Sequence, residues 1–160
     1  MTAEGEPNIQ DVAVAEALWR LGLLRSEQLP NVAISLLESG VDSRSLRILA
    51  ATPAHTNYEA VALLEQALRE LNKGRMSKRD AALVYAKWIA SRIVNNELHP
   101  LRGAALIADA ALRVDDPGFH DLDPFVYAAS ESEDRPEDRD MFSRAIAAEA
   151  RRILSMPCAE

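Results

Sequence analysis

The segment RVDDPGFHDLDPF, Arg113 to Phe125, places four aspartates and one of the chain's three histidines within thirteen residues. Carboxylates and an imidazole at that density are the raw material of a calcium loop, a zinc site or a metal-dependent phosphohydrolase centre. The calcium loop fails on register. Counted from Asp115, Gly118 falls fourth and Val126 twelfth, whereas an EF-hand needs glycine sixth and glutamate twelfth. A zinc ion could take His120 with Asp121 or Asp123, but no second histidine is local and adjacent residues rarely ligate one ion together. The phosphohydrolase comparison rests on the pair His120-Asp121 and needs further ligands converging from several helices. Only His55 and His99 remain, each beside an expected helix start. The favoured reading is a connection between helices. Pro117-Gly118 supplies a turn, Asp121 or Asp123 caps the helix that holds Phe125, and Phe119 or Leu122 anchors the loop.

No other catalytic pattern is present. The chain lacks HExxH, Gly-x-Ser-x-Gly, a Walker A loop and a dinucleotide fingerprint. It also lacks the paired Glu-x-x-His elements of a di-iron bundle. The sequence therefore nominates no catalytic residue, no metal ligand and no cofactor.

The elements that would position any site read as helices. At 160 residues one domain can bury roughly two-thirds of its unfolded surface without disulfides or a structural metal. Apolar residues make up 48% but aromatics only 5%, so aliphatic side chains and alanine carry the core. Alanine favours helix because it loses no side-chain entropy there. Asn8 or Asp11 opens a first helix with Val12, Ala15, Trp19 and Leu23 at helical spacing, ending near Gly22. A second begins around Ser26, with Pro30 in its first turn, and closes at Gly40. Asp42 caps a third that stops before Pro53.

The fourth opens on the capping box Thr56 to Glu59. It carries Ala60, Val61, Leu64, Ala67, Leu68 and Leu71 on one face and ends at Gly74. Ser77 caps a fifth that is apolar almost all round and therefore central, burying Tyr85, Ala86, Ile89 and Ile93, with Trp88 bridging to a neighbour. Pro100 opens a sixth with a smooth stripe of Leu101, Ala104, Ala105, Ala108 and Leu112. DPFVYAASE forms a short seventh. Pro136 opens an eighth with Phe142, Ile146, Ala150, Ile153 and Leu154 inward. The expectation is an all-α fold, a single compact orthogonal bundle of about eight helices or a helix-hairpin array. The domain spans 8–155 between flexible ends at 1–7 and 156–160.

Charge is distributed unevenly. The formal net charge is −7, opposite to the balance of a duplex-binding domain, so nucleic acid is not an expected partner. No stretch approaches the roughly 18 apolar residues of a membrane span. The N-terminus has neither the basic nor the apolar region of a signal peptide, and Cys158 has no second cysteine to pair with. A cytoplasmic protein is expected. Arg69 to Arg92 holds seven basic residues against two acidic, and Asp115 to Asp140 ten acidic against two basic. Such patches steer association with a partner or between copies of the chain; solvated connections would show the same pattern.

Two segments carry a resemblance. Leu29 to Ala50, through the pattern GVDSRSLRILA at Gly40 to Ala50, and Asn95 to Asp109, through the Pro-x-x-Gly-Ala turn at Pro100 to Ala104, resemble segments of small helical bacterial proteins of unknown function. The resemblance covers about half the chain and implies a helical fold without an activity. The expectation for function is a non-enzymatic helical module that binds another protein or itself as a homodimer. Its weak contact candidates are Asp115, Asp116, Asp121, Asp123, Glu131, Glu133 and Asp134. The alternative is a small metal-dependent hydrolase with a site near His120-Asp121.

Overall fold

The structure, a computed structural model, describes residues 8–53 and 57–157. His55, Thr56 and Cys158 lie outside them, and with them the expected capping box and the ends 1–7 and 158–160. Among the described residues there are eight α-helices and no strand: α1 (Val12–Arg20), α2 (Leu29–Glu38), α3 (Arg44–Ala50), α4 (Asn57–Glu70), α5 (Lys78–Val94), α6 (Pro100–Leu112), α7 (Asp123–Asp134) and α8 (Arg139–Ser155). The all-α class and the order of helices agree with the sequence reading. The helices group into two compact units, Met1–Ser77 and Lys78–Glu160, whereas the sequence reading drew no boundary within 8–155.

In the first unit α3 packs on α2 and α4, and α2 also meets α4. Leu29, Ala33, Leu36, Leu46, Leu49 and Leu68 are fully enclosed. Asp11 caps α1 by accepting from the Ala13 amide at 2.8 Å. Gly22 and Gly40, with φ of +70° and +98°, end α1 and α2. In each case the amide one residue further on reaches back to a carbonyl in the last turn, Leu23 to Leu18 and Val41 to Leu36.

Three local expectations are corrected here. The second helix starts at Leu29 and not near Ser26, because Ser26–Gln28 forms a separate 3₁₀ turn, and Pro30 sits in its first turn as expected. Ser43 caps α3 in place of Asp42; its hydroxyl accepts from Leu46, while Asp42 faces Arg47 at 3.2 Å. Asn72, at φ +58°, ends α4 before Gly74 is reached, and Lys73 donates back to Leu68 at 2.7 Å. Asparagine tolerates this left-handed backbone better than most residues.

In the second unit α5 packs on α6 and α8, α6 on α7 and α8, and α7 on α8. Ala81, Ala82, Tyr85, Ala86, Ile89, Ala90 and Ile93 of α5 are buried, as its nearly uniform apolarity predicts. Burial and the nearby Asp109 carboxylate push the Tyr85 phenol above its ordinary pKa.

The α6 stripe is not the one read from sequence. Gly103, Ala104, Ile107 and Ala110 face inward, while Ala105 is exposed and Leu112 is 77% exposed. Gly103 explains the rotation. A methyl group there would lie 2.8 Å from Ile93 Cγ1 and closer still to its Cδ1, so the bare backbone of α6 seats against α5. On α8, Phe142, Ile146, Ala150 and Ile153 are buried as expected, but Leu154 is exposed. A 3₁₀ turn, Pro136–Asp138, precedes that helix.

Candidate interaction surface

The Asp-rich loop is held from beneath. Asp116 Oδ1 accepts from the Gly118 amide at 2.9 Å, closing the Pro-Gly turn, and its Oδ2 lies 3.3 Å from Arg79 Nε. Arg79 also donates to the Gly118 carbonyl at 3.0 Å and lies over the Phe119 ring at 5.5 Å. Val114, Phe119 and Leu122 are buried, so both expected anchors are used.

The expected cap is not. Leu122 occupies the capping position of α7 and no side chain bonds there. Asp123 is the first helical residue and turns to His120, whose Nδ1 lies 3.0 Å away. The His120 side chain is 69% exposed, and Asp121 is exposed beside it. His99 is engaged elsewhere; its Nδ1 accepts from the Leu101 amide at 3.2 Å and caps α6. Among the described residues, no three His, Cys, Asp or Glu side chains are arranged to hold a metal ion.

The basic stretch is divided between the two units. Arg69, Lys73 and Arg75 belong to the first unit, and Lys78, Arg79, Lys87 and Arg92 to the second. Several of these cations have local partners: Arg69 bonds Gln66, Lys87 the Met156 carbonyl, and Arg92 faces Glu97 and the Trp88 ring.

The other half of the acidic stretch borders an apolar groove that the sequence did not single out. It runs between α7 and α8 in the second unit, has a volume of about 430 Å³, and is lined by Pro124, Tyr127, Ala128, Met141, Phe142, Ala145 and Ile146. Helical geometry makes it. Pro124, Tyr127 and Ala128 recur at i, i+3, i+4 on α7, and Met141, Phe142, Ala145 and Ile146 share one side of α8. Phe142 and Ile146 form a closed floor, while Tyr127 is 61% and Met141 45% exposed. Arg135 and Glu149 complete the lining, and each is already paired. Arg135 bonds Asp138 and lies 5.7 Å over Phe142. Glu149 accepts from Arg152 Nε at 2.9 Å, which holds that guanidinium above its ordinary pKa.

By helical phase the groove side of α7 continues past Tyr127 to Glu131 and Asp134, whereas Glu133 and Asp140 fall on the opposite sides of α7 and α8 and Glu137 lies in the turn between them. Among the described residues neither Glu131 nor Asp134 has a cationic partner within ion-pair distance. Their negative field therefore projects into solvent at one end of the groove. Of the seven sequence candidates, Asp115, Asp116 and Asp121 belong to the pinned loop and Asp123 opens α7; Glu131 and Asp134 lie on the groove side of α7, and Glu133 on its far side. Tyr127, Met141 and Ala145 were missed because two exposed apolar side chains on different helices leave no mark in a one-helix pattern.

A polar cluster in the first unit was also missed. Glu16 of α1 is only 2% exposed, and its carboxylate accepts from the Gly74 amide at 2.8 Å and the Met76 amide at 3.0 Å. Arg20, one turn on, donates to the Gly74 carbonyl at 2.6 Å and lies 3.6 Å from Glu65, which accepts from Trp19 Nε1 at 2.9 Å. These bonds tie α1 to α4 and to the segment after it. The signal was available: Glu16 lies four residues after Val12 and three before Trp19, on the face that must be buried. Every acceptor and most donors of the cluster are occupied by the protein itself, which marks it as structural.

Comparisons with protein-family models, curated proteins and solved structures return no match for this chain. Among the described residues no helix is long and apolar enough to cross a membrane.

Proposed function

We propose that this chain is a non-enzymatic, cytoplasmic protein-interaction module whose contact is the acidic end of the α7–α8 groove, and that its partner presents basic residues there. One observation carries the reading. Glu131 and Asp134, without cationic partners among the described residues, continue the α7 side of a groove with two exposed large apolar walls, a combination of charge and apolar surface that suits association. The cytoplasmic setting rests on the acidic composition and the single cysteine. The hydrolase alternative gains no support, since His120 is bonded to Asp123 with no convergent ligands among the described residues.

The test is titration of the full chain with a fluorescein-labelled, lysine-rich peptide of about 16 residues, followed by anisotropy. Saturable binding is expected, weakening as salt rises because exposed charge pairs are screened. The variant Glu131→Lys/Asp134→Lys is expected to abolish it, while Asp115→Asn/Asp121→Asn leaves it nearly unchanged. Absence of binding, or equal loss in both variants, would remove the proposal.

A further inference from the structure

We infer that the α7–α8 groove receives an amphipathic helix of the partner, seating an apolar side chain over Ala145 between Tyr127 and Met141 and laying lysines or arginines along Glu131 and Asp134. The inference rests on the proposed interaction role and adds the conformation and chemistry of what binds.

The described fold offers no sheet edge, so a partner strand has no ladder to join. A groove between two helices is instead the surface that accepts a third helix, whose apolar residues enter at i, i+4 spacing. Ala128 and Ala145 keep its middle low, and Phe142 and Ile146 give it a dry floor. A small molecule fits less well. Such sites enclose most of their ligand and present a few free polar groups, whereas here both upper walls stand in solvent and Arg135 and Glu149 are paired within the protein. A second copy of the chain meets a charge conflict, because a two-fold contact places the same patch on both sides. That would bring two sets of unneutralised carboxylates together. A basic partner neutralises them.

The substitution Ala145→Glu separates charge from shape. It adds a negative charge, which strengthens a purely electrostatic contact with a basic peptide, and it fills the groove, which weakens a seated helix. Ala145 is exposed and glutamate is a good helix former, so the fold is expected to persist, as circular dichroism will check. Tyr127→Ala, at another exposed position, provides a second variant.

Three synthetic peptides serve as probes: one with a leucine stripe and lysines at one end, one with serine for leucine, and one with glutamate for lysine. The leucine–lysine peptide is expected to bind the full chain at least roughly tenfold more tightly than the serine peptide, about 1.4 kcal/mol. Ala145→Glu and Tyr127→Ala should each remove most of that advantage, and the glutamate peptide should not bind. Equal binding of the two lysine peptides, unchanged or tightened by Ala145→Glu, would overturn the groove inference and leave the acidic contact standing. Failure of every peptide would overturn both. Self-association in sedimentation that disappears in Ala145→Glu would show a second copy in the groove and equally overturn the inference.

Discussion

Glu16 and Asp121 carry the same charge, yet one is enclosed beneath α1 with two backbone amides on its carboxylate and the other stands in solvent beside His120. The conspicuous acid lies in a dense cluster and has no ion-pair partner among the described residues; the inconspicuous one sits alone in an alanine-rich helix and holds a segment sixty residues away. Density of charge in sequence marks solvation or a surface field. A single charge on an apolar helix face marks a buried bond, because the desolvation cost of an enclosed carboxylate must be met by donors.

The contrast is broken or sharpened most strongly at Glu16. Glu16→Ala leaves the Gly74 and Met76 amides without their acceptor and should destabilise the first unit by about 3 kcal/mol. Glu16→Gln, which keeps one oxygen acceptor, should cost about half as much. Urea denaturation followed through Trp19 in a Trp88→Phe background reads the first unit directly. A loss below about 0.5 kcal/mol for Glu16→Ala would place it with ordinary surface acids.

Arg79 is the intermediate case, a half-exposed residue that pins the Asp-rich loop by three contacts. Arg79→Ala should cost the second unit about 1 kcal/mol and raise amide exchange at Gly118 and Phe119. Glu70 sharpens the contrast through pH. Its carboxylate accepts from the Ser45 hydroxyl at 2.6 Å and the Ser45 amide at 2.9 Å, at the N-terminus of α3. These bonds hold its pKa below the ordinary 4.5. The stabilisation is therefore complete above the unfolded value and lost as pH falls through the lower folded one. Glu70→Gln should flatten that acid-side decline in the midpoint of urea unfolding. Smallest of all, Asp121→Asn and His120→Ala should each shift stability by less than about 0.5 kcal/mol, seen as unchanged thermal midpoints.

The helices were legible because their punctuation is local. Asp11, Gly22, Gly40, Pro100 and the periodic faces of α4, α5 and α8 each act within a turn or two of their own position. What was not legible depended on contacts between elements. Ser43 displaced Asp42 as the cap of α3. The inward side of α6 turned on how closely Gly103 approaches Ile93, which alanine counting along one helix does not reveal. The boundary near Ser77 passed as another short loop, since Asn72 and Gly74 end a helix in the same way whether a new unit follows or not. Of the seven acidic candidates, Glu131 and Asp134 lie beside the groove and Asp116 closes the turn. The groove itself needed α7 and α8 side by side.

The central claim is that the second unit meets its partner at the α7–α8 groove and not at the Asp-rich loop. The direct measurement is a ¹⁵N-amide shift map of the full chain titrated with the leucine–lysine peptide. The expected result is a saturable set of shifts at Tyr127, Ala128, Met141, Ala145 and Glu149, with Asp115 to Asp121 nearly still. Shifts concentrated at Asp115 to Asp121, or scattered over both units without saturation, would contradict it.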